Sequence, residues 1–419
     1  MRPASGGIDF GTSNSTVGFI NDGKPTLVPL EDGEVTMPSA VFFNFEDNST
    51  YFGRRAIADY TDNVEGRLLR ALKSVLGTSL INDKTRIKAH SIAFSDIIGS
   101  FLHNLKGLLE EAVGQSVDNI VLGRPVHFVD DDPEADRRAQ SELEKAAARR
   151  GFKHIAFQFE PIAAALDYEQ HVRKEELALI VDIGGGTSDF SIVRVSPERA
   201  NAADRKDDIL ASAGVHIGGT DFDRLFSIAH LMPEFGYLSP TKDGKRNLPA
   251  GYFIDLATWQ RINMLYSSKA MTDLRQIRYE AAQPELVERM IDVVRHRQGH
   301  ALASKIERAK IELTAQAVTT MSVELTHECL TIPLTQAGLD EAIANAVARV
   351  AQTIAGTLAD AQLAASQVTT LFLTGGSTAV PLLKQTVLAM FPSATVVEGD
   401  MFGSVGLGLA LDARRKYGA

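Results

Sequence analysis

The sequence predicts an α/β protein of two duplicated lobes, with mixed sheets and flanking helices around a central cleft. A strand-turn-strand motif occurs twice, as GGIDFGTSNSTVGFI at 6–20 and as LIVDIGGGTSDFSIV at 179–193. Strand and helix signals alternate after each copy, as in other α/β folds. Because Asp9 and Asp182 hold the same place in the two copies, we interpret the repeat as a duplication of whole domains.

Composition and charge restrict the possible class of protein. The chain has 419 residues, of which 44% are hydrophobic and 23% charged, which suffices for sizeable cores. Its net charge of −10 argues against nucleic acid or an anionic membrane as a partner. One cysteine, Cys329, suits a reducing compartment. No signal peptide or long apolar run is evident, so we expect a soluble, cytoplasmic protein.

Helix and strand signals in the first half follow local patterns. The clearest helix is predicted at 132–151, where Asp132 is the N-cap, Pro133 lies in the first turn and Gly151 ends the helix. A second helix is predicted at 95–114, with a Ser-Asp cap and an end at Gly114. Further predicted elements are strands at 26–30, 39–45, 51–53 and 118–128, and a strand from 154 that leads into a helix near Pro161.

The second half repeats this scheme. Residues 233–252 are rich in Pro, Gly and charge, and predict a surface loop or insertion. Small residues on one side of the last predicted helix favour close packing. The predicted elements are a strand, a Gly-Gly turn and a helix within 209–232 and again within 368–392, and helices at 300–316, 334–363 and 402–417.

The glycine turns of the repeated motif predict an anion site. Turns of small residues expose successive backbone N–H groups, and two such turns across a cleft can hold a polyphosphate from both sides. Thr12, Ser13, Thr187 and Ser188 add hydroxyl donors. Asp9 and Asp182 would then lie beside the phosphates, and carboxylates are tolerated there when a cation lies between. We therefore expect Mg²⁺, held through water.

Two further glycine turns, at 216–223 and 373–381, each stand between a strand and a helix, where N–H groups bind phosphate or ribose oxygens. Four such turns together predict nucleotide binding. Other motifs fail: the Gly-Lys spacing at 18–25 has Pro25 where a P-loop needs Ser or Thr. His296, His300 and the run 327–329 lack the further ligands of a zinc site.

Five segments in order resemble the DnaK-type heat-shock chaperone family, within the actin-like ATPase superfamily. GIDFGTSNSTVGF and LIVDIGGGTSDFSIV are similar to its two phosphate motifs, and FLTGGSTAVPLL to its adenosine motif. FEPIAAALDY resembles its connecting helix, and HIGGTDFD its Gly-Gly turn. The resemblance covers nearly the whole chain and is closest to the YegD-like branch, which consists of the ATPase unit only.

The resemblance implies an actin-like ATPase fold with a nucleotide cleft between the lobes. Lobe I would span 1–176, with an outer subdomain at about 39–116. Lobe II would span 177–402, with an outer subdomain at about 225–313, and 403–419 would form a terminal helix that returns to lobe I. The implied ligands are ATP or ADP with Mg²⁺.

The resemblance also implies a role for individual residues. RALKSVLG at 70–77 resembles the segment with the catalytic lysine, which makes Lys73 the candidate, with a solvated helix lysine as the alternative. The catalytic set would be Lys73, Glu160, Asp182 and Thr187, and the Mg²⁺ ligands, through water, would be Asp9, Glu160 and Asp182. Nucleotide contacts are implied at Gly11, Thr12, Ser13, Asn14, Gly184, Gly185, Gly186, Thr187, Gly218, Gly219, Glu307, Lys310, Thr314, Gly375, Gly376, Ser377 and Asp400.

The sequence departs from the family's pattern at the adenine. Ile311 and Ala379 stand where relatives carry arginines that sandwich the base. Each such contact contributes about 0.5–2 kcal/mol, so we expect weaker or less selective adenine binding. The chain also ends at Ala419, just after the terminal helix, and we therefore expect no peptide-binding domain.

The favoured function at this stage is a slow, Mg²⁺-dependent ATPase that acts as a conformational switch, read by an unidentified protein partner. A filament-forming ATPase on the same fold is one alternative. A small-molecule kinase is another, with Asp189 or Asp221 as a possible base. A nucleotide-binding protein without turnover is a fourth hypothesis.

Overall fold

The computed structural model describes residues 4–129, 132–169, 172–199, 202, 205–397 and 403–418. Strands and helices alternate along the chain. The strands are β1 (Ala4–Phe10), β2 (Asn14–Asn21), β3 (Lys24–Leu27), β4 (Thr36–Pro38), β5 (Ala40–Asn44), β6 (Thr50–Phe52), β7 (Gly66–Arg70), β8 (Lys84–Ile87), β9 (His90–Ala93), β10 (Val117–Arg124), β11 (His154–Phe159), β12 (Glu176–Ile183), β13 (Ser188–Val195), β14 (Ile209–Val215), β15 (Val318–Glu324), β16 (Cys329–Thr335), β17 (Thr370–Thr374) and β18 (Thr395–Val397). The helices are α1 (Gly53–Thr61), α2 (Phe94–Val113), α3 (Pro133–Ala148), α4 (Glu160–Glu169), α5 (Gly219–Phe226), α6 (Gly251–Ala257), α7 (Ser268–Glu280), α8 (Pro284–Arg295), α9 (Gly299–Glu312), α10 (Gln336–Asp360), α11 (Pro381–Met390) and α12 (Ser404–Tyr417).

The two largest sheets have the same topology. In the first, β2 lies antiparallel between β1 and β3, and β10 and β11 run parallel on the other side of β1, with β4 beside β2. In the second, β13 lies antiparallel between β12 and β14, and β17 and β18 run parallel on the other side of β12. The order and the directions match strand for strand. The predicted duplication in a mixed-sheet α/β fold is therefore confirmed.

Helices α4 and α12 pack between the two sheets. One buried cluster joins side chains of both helices to Val121 in the first sheet and Ile180 in the second. The two backbones are in direct contact, because a Cβ added at Gly408 would lie 1.8 Å from the carbonyl oxygen of Ala163. The small residues of the terminal helix thus permit this approach, as their pattern predicted. The packing fixes the start of α4, which carries Glu160.

The region from 233 onward differs from the prediction. Residues 233–252 contain isolated bridges and a short 3₁₀ helix, but Phe235 and Leu248 are almost completely buried in the core of the second half. These apolar side chains draw the segment inward, so it is not simply a surface loop. From Gly251 onward the chain folds as α6, α7 and α8, for which no helix was predicted. Within the described residues, no helix combines the length and apolar character needed to cross a membrane.

The helix termini confirm one predicted N-cap and contradict another. The Asp132 carboxylate accepts hydrogen bonds from the N–H groups of Glu134 and Ala135, at 3.0 and 2.9 Å, which confirms the predicted N-cap of α3. The predicted Ser-Asp cap of α2 is wrong: the helix begins at Phe94, and its N-cap, Ala93, has no side chain able to cap. The helix follows β9 directly, so tertiary packing sets its start.

Candidate functional site

Three carboxylates meet between the two sheets. Asp9 and Asp182 are the penultimate residues of β1 and β12, and Glu160 is the first residue of α4. A Cβ added at Gly123 in β10 would lie 3.3 Å from Cγ of Glu160 and 3.5 Å from Oδ1 of Asp9, so these two side chains share one space. The charges of Asp182 and Glu160 both act on Asp9. The structure therefore brings together the three predicted metal carboxylates.

Lys73 reaches this cluster from the segment after β7, an edge strand of the three-stranded sheet β6-β5-β7. It lies in a 3₁₀ helix, Leu72–Val75, which follows β7 through Ala71 in a left-handed conformation, with φ of 55°. Its Nζ donates a hydrogen bond to Oε1 of Glu160 at 2.6 Å, and the two side chains are only 10% and 15% exposed. Lys73 is thus a recessed cation among carboxylates, and the alternative of a solvated helix lysine does not describe it.

Burial and mutual repulsion perturb these ionisable groups. Burial, together with the charge of Glu160, raises the pKa of Asp9 to about 8, against the opposing effect of Lys73. Burial and the facing carboxylate of Asp189 raise the pKa of Asp182 to about 7. Burial alone would lower the pKa of Lys73, but Glu160 and Asp9 outweigh it and raise that pKa. The cluster carries more negative charge than one lysine can neutralise.

This excess of recessed carboxylate fits a divalent cation. Mg²⁺ prefers carboxylate, water and phosphate oxygens, and commonly keeps several of its waters in protein sites. Within the described parts of the chain, no three side chains of His, Cys, Asp or Glu lie close enough to hold a metal directly. Binding through water, as expected from the sequence, does not require such direct contact, and it stays a prediction.

The two repeated glycine turns touch each other. The carbonyl oxygen of Gly11 accepts a hydrogen bond from Oγ of Ser39 at 2.7 Å, and the N–H of Ser39 donates to the Ser13 carbonyl at 2.8 Å. In the other turn the N–H of Gly184 donates to the Thr187 carbonyl at 3.0 Å. A Cβ added at Gly185 would lie 2.2 Å from Oγ of Ser13. Turns from the two halves of the chain therefore lie face to face, beside the carboxylates.

The third and fourth turns pack onto the second. The N–H of Gly219 and Oγ of Ser377 both donate to the Gly184 carbonyl, at 3.0 Å each. Thr220, which the motifs did not single out, donates to the Gly185 carbonyl from its N–H and its hydroxyl, at 2.7 Å each. The four predicted turns thus form one connected group. They include every predicted glycine of the site: Gly11, Gly184, Gly185, Gly186, Gly218, Gly219, Gly375 and Gly376.

Helix α9 places two predicted nucleotide residues next to these turns. The buried Nζ of Lys310 pairs with Oδ1 of Asp223 at 2.8 Å and donates to the Gly219 carbonyl at 3.2 Å. Burial raises the pKa of Asp223 to about 6, with Lys310 opposing and Glu307 adding to the shift. Asp223 was missed as a site residue although it ends the quoted motif HIGGTDFD. Its role depends on Lys310, which is 87 positions away.

The end of α9 differs from the sequence prediction. Thr314 was expected on one helical face with Glu307 and Lys310, but α9 ends at Glu312. Thr314 instead turns back, and its N–H and hydroxyl donate to the Ile311 carbonyl at 3.0 and 2.7 Å. Asp400 lies outside the described residues. Ile311 is 57% exposed and presents an apolar side chain to solvent next to the buried Lys310.

An open recess borders two of the carboxylates. Its lining includes Glu160, Asp182 and Asp189, together with apolar side chains such as Val126 and Ile180. Asp189 faces Asp182 across the β12–β13 pair. The other candidate for a kinase base, Asp221, accepts a hydrogen bond from the Gly218 N–H at 3.1 Å and so caps α5. Asp221 therefore stabilises the start of a helix, and this structural role accounts for it without a role as a catalytic base.

Fold and site together define a two-part α/β protein in which paired glycine turns from duplicated halves enclose a carboxylate cluster. Comparison with protein families supports this class. The model of the family described as "Hsp70 protein" matches residues 6–247 and 273–414. The chain therefore belongs to the Hsp70 family, and an ATPase of the Hsp70 type on the actin-like fold is supported. The assignment to the YegD-like branch stays a prediction.

Proposed function

We propose that this protein binds ATP with Mg²⁺ between its two halves, hydrolyses it slowly, and uses the change of nucleotide state as a conformational switch. The observation that carries the proposal is the meeting of Ser13 and Gly185 beside Asp9, Glu160, Asp182 and Lys73. The two lobes of this switch would be 1–176 and 177–402, with 403–419 as the helix that returns to lobe I.

Each residue has a chemical task in this proposal. Backbone N–H groups and hydroxyls at 11–14 and 184–187 hold the phosphates from opposite sides. The Lys73 ammonium, fixed by Glu160, neutralises charge that develops on the transferred phosphoryl group as water attacks and ADP leaves. Mg²⁺, held through water by Asp9, Glu160 and Asp182, would neutralise charge on the phosphate oxygens. Glu307 and Lys310 would contact the adenosine.

The direct test is ATP hydrolysis by the purified protein. We expect Asp9→Ala, Asp182→Ala and Lys73→Ala each to lower kcat by about 10²–10³-fold. The two aspartate variants would lose a carboxylate that holds Mg²⁺ through water, and Lys73→Ala loses a cation directed at the reacting phosphates. Lys153→Ala and Asp118→Asn are matched controls, since this pair lies on the surface, with Nζ and Oδ2 2.7 Å apart. Unchanged hydrolysis in all three site variants would refute the site assignment.

The recess favours a second candidate, phosphoryl transfer to a small hydroxyl compound. The acceptor oxygen would attack the γ-phosphorus, ADP would leave, and Asp189 would take the hydroxyl proton. Loss of ATP that depends on an added acceptor, with a phosphorylated product, would support this candidate over hydrolysis. ATP-dependent light scattering would instead support a filament, and binding without turnover a nucleotide-binding protein.

A further inference from the structure

The carbonyl oxygens of the two repeated turns are held by hydroxyl groups. Each turn consists of four residues between paired strand ends, so the first glycine of each turn, Gly11 or Gly184, occupies the equivalent place. The Gly11 carbonyl accepts a hydrogen bond from Oγ of Ser39 at 2.7 Å. The Gly184 carbonyl accepts one from Oγ of Ser377 at 3.0 Å. The duplicated halves therefore fix the same backbone atom with the same kind of group.

Ser39 holds the first turn at two points. It lies between β4 and β5 and is almost completely buried, and its N–H also donates to the Ser13 carbonyl at 2.8 Å. A hydroxyl has a single hydrogen, and that of Ser39 is donated to Gly11. The fully buried Oγ of Ser15, 2.9 Å from Oγ of Ser39, is therefore the donor in their contact. Ser39 is thus held in place by a neighbouring hydroxyl while it holds the turn.

Thr220 holds the second turn in a comparable way. It is the second residue of α5, and its N–H and its hydroxyl both donate to the Gly185 carbonyl at 2.7 Å. Neither Thr220 nor Ser39 was predicted as a site residue. The two hydroxyls come from different elements of the fold, but each is donated to a carbonyl oxygen of a phosphate turn.

A hydrogen bond to a carbonyl oxygen also sets the direction of an N–H group. A trans peptide is planar, and its C=O and N–H point in opposite directions. Among the described residues no peptide bond is cis. The hydroxyl of Ser39 therefore directs the Thr12 N–H away from itself. Thr220 acts in the same way on the Gly186 N–H, and within the described part of the chain no backbone carbonyl accepts either of these N–H groups.

We propose that Ser39 and Thr220 are positioning residues for phosphate binding. Each holds a turn carbonyl so that the N–H that follows it, of Thr12 or of Gly186, is directed at a phosphate oxygen. This inference rests on the proposed function, because it assigns new residues to that same site. A carbonyl oxygen turned toward a phosphate would repel it, so a turn that is held in one orientation binds the anion more tightly than a turn free to rotate.

The test measures binding of ADP with Mg²⁺ to the full-length protein by calorimetry. We expect Ser39→Ala to weaken the affinity about 3- to 10-fold, as the loss of one hydrogen bond predicts. Thr220→Val should weaken it by about 2- to 5-fold, because the N–H of residue 220 still holds the carbonyl. Thr220→Ser keeps the hydroxyl and should stay near the parent.

Two control variants remove a comparable hydroxyl elsewhere in the chain. Oγ of Ser239 donates to the Gly236 carbonyl at 2.8 Å, and neither residue belongs to the proposed site. Oγ1 of Thr357 donates to the Thr353 carbonyl at 2.9 Å within α10. Ser239→Ala and Thr357→Val should therefore leave the affinity for ADP unchanged.

Nuclear magnetic resonance of the amide groups separates positioning from general destabilisation. In the parent, labelled at threonine and glycine nitrogens, ADP with Mg²⁺ should move the N–H signals of Thr12 and Gly186 downfield as they bond to phosphate. Ser39→Ala should reduce the shift of Thr12 and retain that of Gly186. Thr220→Val should do the converse. Thermal denaturation shows whether each variant is folded, and if Ser39→Ala does not fold, the two Thr220 variants carry the test.

The outcomes distinguish the two proposals. If the parent binds and hydrolyses ATP but the affinity for ADP and the amide shifts are unaltered in Ser39→Ala and Thr220→Val, the positioning role is refuted and the proposed function stands. Equal changes at both turns in each variant would also refute it, because each hydroxyl holds its own turn. If the parent neither binds nor hydrolyses ATP, the proposed function fails, and the positioning role fails with it.

Discussion

At the scale of single residues, the site is dominated by an imbalance of charge. Asp9, Glu160 and Asp182 lie close together, with Asp189 facing Asp182, while Lys73 is the cation paired with Glu160. Without a divalent cation, the protein relieves this repulsion by keeping protons on carboxylates that would otherwise be ionised. Proton binding and metal binding at this site are therefore in competition.

This competition predicts how stability depends on pH. The raised pKa of Asp182, about 7, means that native protein holds a proton which unfolded protein has already lost. The contribution is present at low pH and disappears as the pH rises through about 7. In metal-free buffer this one group should reduce the free energy of unfolding by about 1.4 kcal/mol between about pH 6 and pH 8. Urea unfolding in the presence of a chelator, at about pH 6 and about pH 8, measures this difference in the free energy of unfolding.

The variant Asp182→Asn tests the assignment of this effect. It cannot ionise, so its loss of stability over the same pH range should be smaller by that amount. Mg²⁺ with ADP should also reduce the pH dependence of the parent, because a cation replaces the proton. An equal pH dependence in parent and variant would contradict the raised pKa of Asp182.

The adenine side allows a second prediction for a single residue. Ile311 is exposed next to Lys310 at the proposed adenosine side, so Ile311→Arg should add a stacking partner for the base. We expect ATP to bind about 2- to 30-fold more tightly and GTP to gain less, as measured by calorimetry. A lysine at 311 supplies charge without a planar group, and equal gains from Ile311→Lys would contradict stacking.

At the scale of elements, close packing of α12 on α4 holds the site together. The Cβ of Gly408→Ala would lie 1.8 Å from the Ala163 carbonyl oxygen, so the helices must move apart. We expect this change to cost about 1–3 kcal/mol of stability and to lower ATPase activity, because α4 carries Glu160. Gly356→Ala in α10 meets no atom within 4 Å and should stabilise by about 0.5–1 kcal/mol. Thermal and urea unfolding compare the two, and equal effects would contradict the role of this contact.

Elements also show what sequence patterns can predict. The repeated motif predicted two sheets of matching topology, because strand signals and glycine turns are local features of the sequence and occur in the same order in both copies. Asp132 was predictable as an N-cap for the same reason. Two helices between 251 and 295 were missed although they carry such local signals: Oγ of Ser267 caps α7 by accepting from the Ala270 N–H at 3.2 Å, and Pro284 begins α8. The predicted cap of α2 was overridden by packing. Lys73 and Glu160 are 87 positions apart, so their ion pair follows only from the folded arrangement.

At the scale of the whole molecule, the proposed switch depends on how closely the two halves approach. In the structure Gly185 and Ser13 of the facing turns lie in close contact. A side chain at 185 requires Ser13 or its turn to move, since its Cβ would lie 2.2 Å from Oγ of Ser13 and 3.1 Å from the Cβ of Ser13. A Cβ at Gly186 meets nothing within 4 Å. Alanine substitutions at Gly185 and Gly186 are therefore a matched pair of variants, of which only the first disturbs the contact between the two halves.

We accordingly expect Gly185→Ala to keep the halves apart and to slow single-turnover ATP hydrolysis by about 10- to 100-fold, since small misplacement of reacting groups is costly. Gly186→Ala should remain within a few-fold of the parent. Adding Ser13→Gly to Gly185→Ala removes the clashing hydroxyl and should recover part of the lost rate. If both alanine variants are equally slow, the loss comes from the turn's own backbone and not from closure. If neither is slow, contact between these turns is not required for hydrolysis, and the switch must work through another part of the cleft.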